Sequence, residues 1–267
     1  MNELKHFFGL KRIPFPQDIP VKEMYILPGL PPLEKRTQFM LQLRSISLIT
    51  GEVGSGKSTS LRYVCSKLHS SKYKIIHITG GRYGMMEFLR FILYQFGISM
   101  HSYQIAHIIK LIREQLLEIV GRKEIPLLVV DEAHLLRKDI FAWLHTMIQL
   151  EFDSKPVLPT ILCGQDILLD KLMTPEARPL ASRIIGRSHL EAIKFEVMQK
   201  YLEHHLKLAG TNNNLFSEQA ALAIHQGSGG LLRRANNLAK GALLAAAMEQ
   251  CKIVSPEHVR LASTELI

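Results

Sequence analysis

SISLITGEVGSGKST, residues 45–59, decides the fold of this chain. Ser45 to Thr50 is a short, β-branched run ending at a glycine, which reads as a strand. Gly51-Glu52-Val53-Gly54-Ser55-Gly56-Lys57-Ser58 then fits the phosphate-loop pattern GxxxxGK[ST], and a helix is expected from Lys57 to about Leu68. A glycine-rich turn between a strand and a helix N-terminus aims successive backbone N–H groups at an anion, and the helix dipole adds positive potential. Nucleotide phosphates suit such a cradle. Its expected contacts are Gly51, Glu52, Val53, Gly54, Ser55, Gly56, Lys57, Ser58 and Thr59. Lys57 reaches the β- and γ-phosphates, and the Ser58 hydroxyl holds Mg²⁺, so ATP and Mg²⁺ are the expected ligands. The plainer alternative is a glycine-rich turn that binds nothing.

Outward from the loop, the chain alternates. Lys74–Thr79 reads as a strand broken by Gly80, Gly81 and Gly84; 85–96 and 102–120 have the apolar period of amphipathic helices. Leu127–Val130 is an apolar strand ending in Asp131 and Glu132, 138–150 looks helical, and Thr160–Cys163 is another buried strand. Apolar strands alternating with helices indicate a parallel sheet covered on both faces. From Phe195 the pattern is helical only, over 195–209, 217–226, 232–250 and 256–263. Three parts are expected: a Pro-rich segment, 1–43, packing on the nucleotide site; an α/β domain, 44–192; and a small all-helical domain, 193–267. Pro14, Pro16, Pro20, Pro28, Pro31 and Pro32 argue against a long helix in the first forty residues.

A strand delivering Asp131 to its C-terminal edge provides a carboxylate for Mg²⁺, and Glu132 next to it can polarise attacking water. Asp131-Glu132-Ala133-His134 also spells the DEAH box of certain helicases, but 267 residues cannot hold their two tandem motors. His134 is read as an incidental helix-start residue.

Composition is that of an ordinary folded protein: 47% hydrophobic, 21% charged, a formal net charge of +9 and a pI near 9.5. A basic surplus points to a polyanion partner. Cys65, Cys163 and Cys251 have unrelated spacings, so neither a disulfide framework nor a zinc site is expected. The longest stretch without Asp, Glu, Lys or Arg, Phe91–Ile109, carries too many polar groups for a bilayer span, and no signal peptide stands at the N-terminus. A soluble, cytoplasmic protein without a membrane partner is expected.

The order of phosphate loop, Asp-Glu strand, polar strand-end residue and arginine-bearing helical lid resembles AAA+ ATPases. That resemblance implies a three-layer P-loop α/β domain followed by a helical lid. More narrowly, Phe7-Phe8-Gly9-Leu10-Lys11 with Pro14-Phe15, the loop from Thr50 to Lys57, and Leu162-Cys163-Gly164-Gln165 resemble the ExeA/GspA-like secretion ATPases. Tyr201–Gly210 and Gly229–Ala239 are similar to members encoded beside DDE transposases, helper ATPases akin in role to IstB, TniB and MuB. The resemblance implies a slow, switch-type ATPase that forms a homo-oligomeric ring or helical filament on duplex DNA, with a DDE-type transposase as partner.

Residue by residue, the resemblance makes Gln165 the first sensor, although a plain strand-end turn is the alternative. Arg183, in Leu180-Ala181-Ser182-Arg183-Ile184, takes the place of the finger offered to a neighbouring subunit, with Arg178 and Arg187 as rivals. Arg233 takes the lid arginine's place, although Leu232 stands where the family usually has proline and Arg234 leaves the register ambiguous. Ile13, Pro14 and Phe15 would pack on adenine or act as a hydrophobic staple. Related ATPases contact DNA after the second strand. The matching Arg82 and Tyr83, with Lys74 on the strand, are the expected DNA contacts, or else a solvated loop. A secretion-type ATPase, a replication initiator or loader, and a small-molecule kinase are the rival readings. Lys57→Ala is expected to abolish ATP binding, measured by calorimetric titration; unchanged affinity would remove the phosphate-loop reading.

Overall fold

The computed structural model describes residues 2–99, 104–147, 149–150 and 155–264. In chain order its elements are α1 (Asn2–Phe8), α2 (Leu30–Gln42), β1 (Ile46–Gly51), α3 (Lys57–Ser66), β2 (Tyr73–Thr79), α4 (Met85–Gln95), α5 (Ile105–Gly121) and β3 (Ile125–Asp131). There follow α6 (Lys138–Met147), β4 (Gln149–Leu150), β5 (Lys155–Pro156), β6 (Thr160–Gly164), α7 (Ile167–Leu172), α8 (Arg178–Ala181) and β7 (Ile184–Leu190). The last four helices are α9 (Phe195–Leu208), α10 (Glu218–Ser228), α11 (Leu232–Met248) and α12 (Pro256–Thr264). The chain divides into two compact units, one of residues 28–51 and 57–190, the other of 2–27, 52–56 and 191–264.

The first unit is built on a five-stranded sheet in the order β2-β3-β6-β1-β7, with every ladder parallel. Thr79 lies opposite Asp131, and Thr50 opposite both Gly164 and His189. That register brings the ends of β1, β2, β3 and β6 to one edge, where ligands of open parallel sheets bind. Alternate strand residues Ile46, Leu48, Ile76, Ile78, Leu128, Val130 and Leu162 share a buried cluster with Phe88, Ile112 and Leu144 of α4, α5 and α6. The three central strands, β3, β6 and β1, are buried on both faces and therefore read as continuous apolar runs, whereas the edge strands β2 and β7 alternate with exposed positions.

Three expectations change here. α2 runs for 13 residues from within the proline-rich segment. Pro31 and Pro32 occupy its first turn, where a missing N–H costs nothing and a fixed φ favours the helix. α6 stops at Met147, and Gln149–Leu150 pairs antiparallel with Lys155–Pro156 instead of extending the helix. β7 is an addition to the strands legible in the sequence. Gly186, Arg187 and His189 dilute its apolar signal, and its ladder with β1 makes it the edge strand. Ser102 and Tyr103, at the start of the expected second amphipathic helix, lie outside the described residues.

In the second unit, α9–α12 match the expected helices to within a few residues, and an isolated Phe216–Val254 bridge is added to them. The proline-rich segment is divided: residues up to 27 belong to this helical unit and 28–43 to the sheet unit. Phe15 is 0% exposed, its ring 5.0 Å from that of His205 and 6.2 Å from that of Phe216. Phe15 is a core residue of the helical unit. Lys11 N–H donates to the Ala209 carbonyl at 2.8 Å, and Arg12 pairs with Glu23 at 2.8 Å, tying the segment down.

His205 is 3% exposed and its Nδ1 has no hydrogen-bond partner. Burial, aided by His204 and Arg12, pushes its pKa down to about 4 from an ordinary 6.5. The unfolded chain therefore binds the extra proton first, and the folded unit loses stability as pH falls from 6.5 towards 4. His205→Phe is expected to remove about 3 kcal/mol of that acid loss, read as a flatter fall of melting temperature with pH than in the wild type. Parallel curves would show that His205 is not the group responsible.

Candidate nucleotide site

In the helical unit, the loop residues 52–56 are held by the start of α11. Arg233 N–H donates to the Gly54 carbonyl at 3.2 Å, so one of the helix's orphan donors is satisfied by the loop itself. Gly54 and Gly56 adopt φ of +85° and +94°, open to glycine at little cost. A Cβ at Gly54 would lie 3.0 Å from Arg233 Cβ, and one at Gly56 would lie 3.0 Å from Leu232 Cδ1. Leu232 thus fills the space beside Gly56. It is Arg233, not Arg234, whose backbone engages the loop; both side chains are exposed. The Ser55 hydroxyl is buried without a hydrogen-bond partner. A buried polar atom left unpaired is costly, so it fits a loop built to enclose a polar ligand.

In the sheet unit, Lys57 opens α3, is only 6% exposed, and donates from Nζ to the Gly51 carbonyl at 2.9 Å. A buried ammonium must be paired, and here it is folded back on the residue that begins the loop. Ser58 and Thr59 follow in the same first turn and are exposed, as are Glu52 and Val53 of the loop.

The carboxylates stand at the end of β3. Asp131 is half-buried and its Oδ1 accepts the Glu132 N–H at 2.9 Å. Glu132 adopts φ 52°, ψ 34°, a left-handed conformation that is unusual for a residue with a side chain. The reason lies across the sheet. Gly80 N–H donates to the Asp131 carbonyl at 2.6 Å, and a Cβ on Gly80 would stand 2.3 Å from the Glu132 carbonyl oxygen. The close approach turns the chain sharply after Asp131, so the two acids point differently although adjacent in sequence.

Two further residues join this cluster. Cys163 on β6 is fully buried; burial first, and then Asp131, pushes its thiol pKa up, and it hydrogen-bonds Asp131 as a protonated group. His134 is 7% exposed, with Nδ1 3.4 Å from Glu132 Oε2 and 3.4 Å from the Gln165 N–H nitrogen that donates to it. Burial lowers its pKa, with Lys57 and Lys171 adding to the shift and the Glu132 carboxylate opposing it. Neither residue carries a functional signal in the sequence: an isolated cysteine in an apolar strand and a histidine after two acids have no periodic pattern.

Gln165 follows β6 and is half-buried, one position past the Thr50–Gly164 pair. Arg183 precedes β7, half-buried, and donates from Nε to His145 Nδ1 at 3.1 Å; Arg178 and Arg187 are exposed. The expected DNA residues are not gathered into one patch. Lys74 stands near the start of β2 and Arg82 beyond its end, so the strand's length, roughly 20 Å, separates them. Arg82 is exposed, but the Tyr83 hydroxyl donates to the Thr79 carbonyl at 2.7 Å and its ring packs 5.0 Å from Phe91. Tyr83 therefore braces the turn.

Glu249, Cys251 and His258 also converge, with potential ligand atoms within 4.8 Å of one another. His258 Nδ1 accepts the Ser255 N–H at 2.9 Å, which leaves the ring proton on Nε2, facing Glu249 Oε2 at 3.0 Å. With its lone pair committed to capping α12, the histidine offers Nε2–H and not a metal ligand.

A phosphate loop, a buried lysine and a paired Asp-Glu at the end of a parallel strand mark a P-loop nucleotidase, and the AAA domain family is one such class. The chain belongs to that family: the AAA domain family model matches residues 40–173, half of the chain. It is similar to general secretion pathway protein A of Aeromonas hydrophila, with 30% identity over 248 residues, covering 90% of this chain and 44% of that protein. The chain thus spans less than half of that relative's length. Its fold is similar to Cdc6p from Pyrobaculum aerophilum, with a TM-score of 0.73 at 16% identity over 98% of this chain and 71% of that one. It is also similar to the Aeropyrum pernix ORC1 protein in complex with DNA, with a TM-score of 0.68 at 17% identity over 94% and 67% of the two chains. Among the described residues, no helix is long and apolar enough to cross a membrane.

Gly80→Ala is expected to displace the Glu132 backbone and cut ATP turnover at least tenfold while nucleotide affinity stays within twofold. Steady-state hydrolysis and nucleotide titration on the same preparation check this; unchanged turnover would show that the Gly80–Glu132 approach does not set the geometry.

Proposed function

We propose that this chain is an ATP-hydrolysing switch that assembles on duplex DNA and helps a DDE-type transposase use its target. The observation that carries the hydrolytic part is the forced turn at Glu132, which sets a carboxylate apart from Asp131 at the edge where the phosphate loop begins. Backbone N–H groups of 51–56 and the Lys57 ammonium bind the phosphates. Ser58 and Asp131 supply the oxygens that would hold Mg²⁺, which when bound offsets phosphate charge. Glu132 takes the proton from the attacking water, and Gln165 orients that water at the end of β6. Arg183, oriented by His145, acts on the nucleotide of a neighbouring copy, a contribution of about 10³–10⁵ in rate in comparable systems. Arg233, coupled through its backbone to Gly54, senses the γ-phosphate.

The DNA part is supported by the net charge of +9 and by the exposed Arg82 beyond β2. Phosphate contacts without base readout suit this spread of cations, and assembly multiplies weak contacts along one duplex. The transposase part rests on the 201–210 and 229–239 segments. The likeness to general secretion pathway protein A favours a second reading, an ATPase whose partner belongs to a secretion pathway.

Binding to non-specific duplex, followed without nucleotide, with ADP and with a non-hydrolysable ATP analogue, separates the two. The expected result is analogue-dependent binding that weakens with salt, a several-fold loss in Arg82→Ala, and long-lived ATP complexes in Glu132→Gln. Absence of DNA binding in every nucleotide state would overturn the DNA reading in favour of a protein partner.

A further inference from the structure

His134 sits where the two halves of the hydrolytic apparatus meet. Its Nδ1 is the same 3.4 Å from the Glu132 carboxylate, on the turn after β3, and from the Gln165 backbone nitrogen, at the end of β6. Both separations are at the long end of hydrogen bonding, as expected for one nitrogen shared by two partners. They make opposite demands. Glu132 can only accept, so Nδ1 must carry the proton to bond it; Gln165 N–H can only donate, so Nδ1 must offer its lone pair. A neutral imidazole satisfies one or the other by moving its single proton between Nδ1 and Nε2.

The fold is built to keep the ring there. A Cβ at Gly164 would lie 3.1 Å from the His134 backbone nitrogen and 3.2 Å from Nδ1, so the missing side chain makes room for the imidazole. The 3-10 turn Ala133–Leu135 fixes the backbone, and Lys171 Nζ donates to the Leu136 carbonyl at 2.8 Å just beyond it.

We propose that His134 is a positioning residue for hydrolysis: its Nδ1–H holds Glu132 Oε2 and leaves the other carboxylate oxygen to the water, while Gln165 N–H competes for the same nitrogen and releases Glu132. The end of β6 and the water-activating carboxylate are thereby coupled through one atom. A shift of Gln165 towards the ring frees Glu132; a shift away restores its support. This rests on the hydrolytic reading above and adds to it a device for making turnover depend on the position of β6.

The test is a cycle between His134→Leu and Glu132→Gln, with steady-state turnover for the single variants and radiolabelled single turnover in the slow Glu132→Gln background. His134→Leu is expected to lower kcat at least tenfold with KM and nucleotide Kd within twofold of the wild type, and to cause no further loss once Glu132 is Gln. His134→Asn, which keeps a short donor and acceptor, is expected to recover most of the loss. Gly164→Ala retains His134 but pushes on its ring, and is expected to reproduce the kcat defect. Unchanged kcat in His134→Leu would overturn the proposal, as would an equal further loss in the Glu132→Gln background. Should His134→Leu fail to fold, Gly164→Ala decides: wild-type kcat in that variant overturns it. Absence of turnover in the wild type with ATP bound would instead remove the hydrolytic reading, and this inference with it.

Discussion

The geometry of the candidate site depends on one close approach between backbones. Gly80 comes so near the Asp131–Glu132 peptide that no side chain fits between them, and its N–H bonds the Asp131 carbonyl. Parallel pairing of β2 with β3 up to Thr79 and Asp131 brings the two segments together at that point. The chain then has one way out, through a left-handed residue, and that residue is Glu132. Left-handed conformations in residues with side chains cost of order 1–3 kcal/mol and persist where the surroundings enforce them. Here the strain separates two adjacent carboxylates into two positions. Asp131 is tied to its neighbour's N–H and to Cys163, and Glu132 faces His134.

The phosphate loop is constrained at both ends by different means. Lys57 is folded against Gly51 within the sheet unit, while Gly54 is bonded by the first turn of α11 within the helical unit. The glycines of the loop therefore answer two demands at once. They permit positive φ, and they leave room for Leu232 and Arg233. The loop pattern alone accounts for the first demand; the second comes from residues some 180 positions later in the chain. The N-terminal segment shows the same dependence on distant partners: Phe15 is buried by α9 and by Phe216.

Legibility in the sequence followed the physical nature of each signal. The strands at 46–51, 125–131 and 160–164 were legible because burial on both faces leaves unbroken apolar runs. Helices α4, α9 and α11 were legible from period, and the phosphate loop from a spacing that few other structures require. β7 was not, because an edge strand is held by its ladder and tolerates Arg187 and His189 facing solvent. α2 was obscured by counting prolines without their position, since Pro31 and Pro32 at a helix start assist it. Lys74, Arg82 and Tyr83 are near one another in sequence, yet strand extension parts the first two and a hydroxyl bond to Thr79 occupies the third.

What the sequence by itself determined is the membership of the chain in a P-loop class, the alternation that yields a parallel sheet, and the identities of Lys57, Ser58, Asp131 and Glu132. Local pattern suffices for these, because strand burial, helix period and phosphate-loop spacing are properties of neighbouring residues. Only the tertiary structure decided that Glu132 adopts a left-handed turn, that His134 lies against Gly164 and Gln165, and that Phe15 is a core residue. Each of these is fixed by contact between segments tens to hundreds of residues apart, and at Glu132 and His134 the space left by a glycine on a neighbouring segment sets the outcome.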